Sequence, residues 1–371
     1  MSVIIFLVIL LVLVLVHEWG HFFTARKFDI RVDEFGFGFP PKAATLFKKG
    51  DTEYTLNWLP IGGFVKIFGE NPDAENTTGP DANRSFVNKP RWQQAIVLFA
   101  GVFMNFVLAW VLFSVGFMSG LPMSLQNAPA GYELKDTNLL IVSVLKDSPA
   151  EIAGLESGDK VVYLANREDN FLEAPNITPE KFKEFISENS GEDGVEVGYL
   201  RGRENKLNTV EIVPKTDSET GSPLIGVALD TVGTLKLPLF SSLWQGMKLN
   251  LSVTKGTAVG LYTLIADGIK GEGSFDSVTG PVGIVGIVGD AAQFGFVYLL
   301  SFAALISINL AIINLIPFPA LDGGRLLFLL IEKIKGSRIN PKIFNITNTI
   351  GFALLIILML VVTYHDIVKL L

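Results

Sequence analysis

The sequence predicts a polytopic α-helical membrane protein with four transmembrane helices, a membrane-associated β-hairpin or sheet segment, and an inserted α+β domain. Three observations lead there. Hydrophobic residues make up 49% of the 371-residue chain and charged residues only 18%, whereas soluble domains carry about a quarter charged. The apolar residues are gathered into long runs, and the charged ones fall mostly between them. One central block alone is polar enough for an ordinary water-soluble domain.

Residues 1–16 are almost continuously apolar, and Phe22 and Phe23, beyond a polar interruption, extend the run to the roughly 20 residues that cross a bilayer as a helix. No Lys or Arg precedes Arg26, and His-Glu stands where a signal peptide would be cleaved, so the run reads as span one. Residues 31–70 mix aromatics with turn residues, as in Phe35-Gly36-Phe37-Gly38-Phe39-Pro40, and Glu53–Trp58 alternates as a strand does. Open strand edges do not face lipid, so this segment is expected in a protein-lined or water-filled recess beside the spans. Span two follows at about 93–119.

Residues 121–232 form the inserted domain. Strand candidates lie at Ile141–Leu145, from Val161, and at about 194–200, 207–213 and 224–229, with helices from Pro149 and at about 179–189. The run Ser148-Pro149-Ala150, Ala153-Gly154-Leu155 and Gly158-Asp159 resembles PDZ domains of bacterial envelope proteases, which hold peptide ends by strand addition. Residues 236–292, Gly-rich and amphipathic with Gly280-Pro281-Val282-Gly283, read as interfacial. Spans three and four follow at about 296–318 and 343–363. The organisation is therefore 1–120 with spans one and two, 121–232 inserted, and 233–371 with the interfacial segment and spans three and four.

Lys and Arg flank span ends on the cytoplasmic side. Arg26, Lys27 and Arg31 follow span one, Arg84, Lys89 and Arg91 precede span two, and Arg325, Lys333, Lys335, Arg338 and Lys342 join spans three and four. Residues 121–240 carry 20 acidic and 11 basic side chains, as a translocated domain does. A multi-pass protein of a bacterial cytoplasmic (inner) membrane is expected, with its inserted domain outside. The net charge of −7 gives no basic face for nucleic acid.

The chain has no cysteine and three histidines, so zinc or nucleophile chemistry through thiols is closed. His17-Glu18-Trp19-Gly20-His21 places two imidazoles one helical turn apart, able to share one Zn²⁺, with Glu18 beside them as a base for the attacking water. Three ionisable residues within a span are costly and mark function. A tetrahedral site needs a further ligand, and Asp322 in Leu321-Asp322-Gly323-Gly324 lies just after span three, which runs the same way as span one and ends on the same side. Pro317 and Pro319 interrupt the helix, and Gly323-Gly324 are expected to relax the chain so that the carboxylate turns inward. His₂-carboxylate ligation favours zinc. His365 falls at the opposite end of span four.

The ordered set of HExxH, aromatic-glycine β segment, Gly101-x-x-x-Asn105, PDZ-like block, Gly-Pro-Val-Gly and Asn314-x-x-Pro-x-Pro-x-Leu-Asp-Gly resembles the site-2 protease family of intramembrane zinc metalloproteases, in its bacterial regulator-of-sigma-E protease form with one PDZ domain. The resemblance implies that His17, His21 and Asp322 bind zinc, that Glu18 is the catalytic base, that Asn314 contacts the scissile carbonyl or its oxyanion, and that Asn105 supports them. Val102 stands where relatives usually carry proline. The implied activity is metalloendopeptidase cleavage of single-span membrane proteins, such as anti-sigma factors or signal-peptide remnants, with membrane lipid around the spans and peptide or protein termini at the PDZ domain. A catalytically silent PDZ scaffold is the alternative. A metal transporter would spread its polar residues along several spans, whereas here they gather at one level.

Overall fold

A computed structural model describes residues 1–71, 74–166, 170–189, 194–202, 206–216, 222–271 and 279–370. Residues 272–278 of the segment expected to be interfacial lie outside that set. The helices are α1 (Ser2–Lys27), α2 (Ala74–Thr78), α3 (Arg91–Ser119), α4 (Pro149–Ile152), α5 (Pro179–Glu188), α6 (Leu239–Lys270), α7 (Pro281–Phe294), α8 (Phe296–Leu315), α9 (Asp322–Lys335) and α10 (Pro341–Leu370). The chain divides into two compact units, one of Met1–Val115, Ser242–Ala292 and Leu299–Leu371, the other of Gly116–Ser241 and Gln293–Tyr298.

In the first unit, α1, α3, α8 and α10 are each long and apolar enough to cross a membrane. α1 runs unbroken through the His-Glu motif to Lys27, with Arg26 and Lys27 in its last turn where cations complement the helix dipole. α8 stops at Leu315, because Pro317 and Pro319 lack the N–H groups that would prolong it. α3 and α8 pack through Ala109, Phe113, Ala304 and Ile308.

Residues 239–270, expected to lie along the interface, form one 32-residue helix. Its first turns run antiparallel to α3. The Trp110 indole donates to the Leu243 carbonyl at 2.9 Å and the Asn250 amide to the Phe106 carbonyl at 3.1 Å. The Asn250 amide is thus paired with a backbone oxygen, which is how α6 can bury it. The Asp366 carboxylate on α10 accepts the Gly280 and Gly283 N–H groups, each at 2.9 Å, and so caps α7.

β1 (Val32–Lys49) and β2 (Thr52–Ile67) are two long bent strands. Residues 34–37 pair on one side with 63–66 and on the other with 53–56, and 42–49 returns along 52–57, so the hairpin acts as four short strands. The inner half packs on α1 through Phe22, Ala25, Val32, Phe35 and Ile67. In the outer half Leu46, Phe47, Trp58 and Leu59 are exposed beside Lys42, Lys48 and Lys49. Pairing on both sides satisfies the backbone groups of 34–37 and 53–56, so the open edges lie along 63–66 and 42–49.

The second unit is a sheet of β3 (Leu121–Ser124), β4 (Lys135–Val144), β5 (Lys160–Ala165), β6 (Phe171–Glu173), β7 (Val195–Leu200), β8 (Leu207–Ile212) and, beyond the short pair β9 (Lys215–Thr216) and β10 (Pro223–Leu224), β11 (Val227–Leu235). The order is β3-β11-β4-β5-β7-β8, with β6 on β5 and every pairing antiparallel. Ile141, Leu164, Val195, Val197, Ile212, Phe182 and Ile186 form its core with α5. Ser148 and Thr178 cap α4 and α5, each followed by proline at the first helical position. The unit reaches Ser241, past the expected boundary at 232, because β11 runs on beside β3 and the Leu237 N–H bonds the Phe117 carbonyl at 2.9 Å.

Candidate metal centre

His17 and His21 lie on one face of α1, each 6% exposed. Their Nε2 atoms are 3.1 Å apart. Asp322, the first residue of α9, brings Oδ2 to 3.1 Å from His17 Nε2 and 3.3 Å from His21 Nε2. Among the described residues this is the one cluster of His and carboxylate atoms placed to share a metal ion.

The turn before Asp322 is built to aim it. Ala320 has φ 74, a left-handed conformation costing a non-glycine residue about 1–3 kcal/mol, and its N–H donates to Asn348 Oδ1 of α10 at 3.1 Å. Gly323 and Gly324 do not loosen the chain as expected. They let α9 press on the turn, for a Cβ at Gly323 would fall 2.5 Å from the Leu315 carbonyl carbon and one at Gly324 2.6 Å from that of Phe318.

The donor set calls for a cation. His21 Nδ1 donates to the Val97 carbonyl at 2.8 Å, leaving Nε2 as a lone-pair donor in the neutral ring. That lone pair faces a carboxylate oxygen, and Asp322 Oδ2 is buried with no hydrogen-bond partner. Acceptors this close repel unless positive charge lies among them. Separations of 3.1–3.3 Å match the edge, about 3.4 Å, of a tetrahedron with ligand bonds of about 2.1 Å. His17 Nδ1 lies 3.3 Å from the Asn105 side-chain amide, a partner that fixes the ring's tautomer. Ser307 of α8 in turn donates to the Asn105 carbonyl at 2.8 Å.

Glu18 points to the β segment, its Oε2 accepting the Val65 N–H at 3.0 Å. Residues 63–66 pair with 34–37 on their inner side, so this N–H lies on the outer edge of the hairpin, facing the histidines. A cavity of about 400 Å³ is lined by His17, Glu18, His21, Asn314 and Asp322, with Phe64 and Val65 along one wall. All of the sequence-predicted site residues meet there except Asn105, which stands behind His17. Arg325 and Glu70 also line it and form an ion pair. Burial pulls the Arg325 guanidinium down to about 10, opposed by Glu18, and it remains charged at neutral pH.

Sequence reasoning missed Val65, Asn348, Arg325 and Glu70. A backbone N–H leaves no residue signature, and Glu70 and Arg325 are joined only by the fold. The role of Gly101 was half visible in Gly101-x-x-x-Asn105: a Cβ there would lie 2.6 Å from His21 Cε1 and 2.8 Å from His17 Cε1.

The second unit has its own groove, of about 690 Å³, between α5 and the start of β11, lined by Phe182, Lys183, Ile186, Val227 and Leu229. β11 pairs with β3 only from Val232 on, so its outer edge over 227–231 is open among the described residues. The Asp159 carboxylate, buried in this unit, takes Arg201 Nε and Nη2, each at 2.7 Å.

A family model, peptidase family M50, matches residues 5–358. A provisionally named zinc metalloprotease of Clostridium perfringens is 35% identical over 96% of this chain and 95% of its own length. The regulator of sigma-W protease RasP of Bacillus subtilis is 30% identical over 100% of this chain and 99% of its own. A PDZ domain from Listeria monocytogenes is similar over 28% of this chain and 93% of its own, at 22% identity and a TM-score of 0.20.

Proposed function

The chain belongs to peptidase family M50, and from that premise we propose that it is a zinc-dependent intramembrane endopeptidase that hydrolyses peptide bonds within or near the transmembrane segments of single-span proteins, such as anti-sigma factors or signal-peptide remnants. One observation carries the reading: three buried ligand atoms converge beside Glu18 on a cavity bordered by an open strand edge.

In this reading His17, His21 and Asp322 hold the ion. Bound zinc supplies Lewis acidity, polarising the scissile carbonyl and lowering the pKa of the attacking water from 15.7 toward about 7. Glu18 takes the water's proton and returns it to the departing amine. Asn314, which also lines the cavity, donates its amide to the carbonyl or its oxyanion. A transmembrane helix hides its peptide bonds in its own hydrogen bonds, so the substrate must be extended at the site. The outer edge of 63–66 offers backbone partners for such a segment.

The basic flanks of the spans support a bacterial cytoplasmic membrane, with the site near the cytoplasmic face and residues 121–232 outside as a PDZ domain. There the groove beside α5 receives peptide or protein termini, as docking site or as filter.

The test is cleavage of a model transmembrane substrate by the full chain in proteoliposomes. Glu18→Gln should lower turnover by about 10²–10⁴-fold with one zinc retained per chain. A wild type that binds zinc and cleaves nothing would support the silent scaffold instead.

A further inference from the structure

Among the described residues Arg325 is the one Lys or Arg that lines the cavity, and the reaction outlined above does not use it. It follows Asp322 by three residues on α9, so both side chains leave one face of the helix. Glu70, its partner, lies just beyond β2, the strand whose Val65 N–H holds Glu18. An arginine carries five N–H donors, and among the described residues a single carboxylate pairs with it. Its side chain is only 24% exposed, and taking a guanidinium that far out of water is costly unless its charge is used.

Hydrolysis of an amide creates that work. Water adds to the neutral carbonyl carbon, whose oxygen takes the charge. The C–N bond then breaks, the amine leaves with the proton carried by Glu18, and a carboxylate remains. Of the carboxylates around it, Glu70 and Asp322 repel that anion from the start, and Glu18 repels the product carboxylate once its proton has gone to the amine. We propose that Arg325 is a further catalytic residue, binding the anion made from the scissile carbonyl, first as oxyanion and then as the new C-terminal carboxylate of the departing fragment. The proposal rests on the peptidase reading.

The experiment uses the full chain and a model transmembrane substrate, measuring kcat and KM separately and zinc per chain for R325M, R325K and E70Q. R325M should lower kcat by about 10²-fold with KM and zinc content near those of the wild type, and R325K should recover part of the loss. E70Q keeps the cation and should lose less than tenfold. A synthetic N-terminal product fragment should inhibit the wild type more strongly as the C-terminal carboxylate than as the amide, and R325M should erase that preference. Equal losses in E70Q and R325M, or zinc loss in R325M, would make Arg325 a strut for α9 and overturn the proposal, as would unchanged kcat. Should R325M fail to accumulate, R325K and the paired fragments decide by the same criteria. Failure of the wild type to cleave would instead strike the peptidase reading itself.

Discussion

Gly101 touches neither substrate nor metal, yet replacing it by alanine should cripple the centre. The added methyl would come within 2.6 Å of His21 Cε1 and 2.8 Å of His17 Cε1, where carbon atoms rest at about 3.5–4.0 Å. The rings must yield by about 1 Å to restore that spacing. His21 cannot yield and also keep its 2.8 Å bond to the Val97 carbonyl, and a buried acceptor left unpaired costs about 1–3 kcal/mol. Ligand positions in a metal site tolerate about 0.2 Å, and disturbing what orients them weakens binding by 10–100-fold, or about 1.4–2.8 kcal/mol. Alanine is otherwise the better helix former by about 1 kcal/mol, so α3 itself should not suffer. The assay is competition for zinc between the purified full chain and a chelator of known affinity, with helix content followed by circular dichroism. Wild-type zinc affinity in Gly101→Ala would refute the steric argument.

Two further outcomes follow from other contacts. Val65→Pro removes the N–H that holds Glu18 and blocks pairing on the outer edge, so kcat/KM should fall at least about tenfold with zinc retained; full activity would sink the edge as the place of substrate docking. Arg201→Met strips the buried Asp159 carboxylate of its cation, and since the guanidinium is about a third exposed the second unit should lose about 2–3 kcal/mol at neutral pH. Thermal unfolding of the full chain reads this, and a loss below about 1 kcal/mol would contradict the burial argument.

The spans were legible because lipid imposes a crude rule on composition, and the HExxH motif because one helical turn fixes its chemistry. Asp322 needed topology as well as sequence, and its aim needed more than either. The left-handed Ala320, held by Asn348, is a backbone state that alanine does not advertise. The sequence carried no sign of how α6 meets α3, because that contact runs through donors on both helices, Trp110 of α3 and Asn250 of α6, each spent on a carbonyl of the other. The doubled pairing of the hairpin was not legible, because alternation marks strands but not how a long strand bends to pair on both sides.

The Val65 N–H is one donor with two claimants. While the strand edge is empty, the Glu18 carboxylate holds it at 3.0 Å. A peptide laid along that edge asks for the same hydrogen. On the proposed docking, loading the edge and untying the base would be a single event: the vacant site keeps the carboxylate leashed, and a peptide on the edge would set it loose.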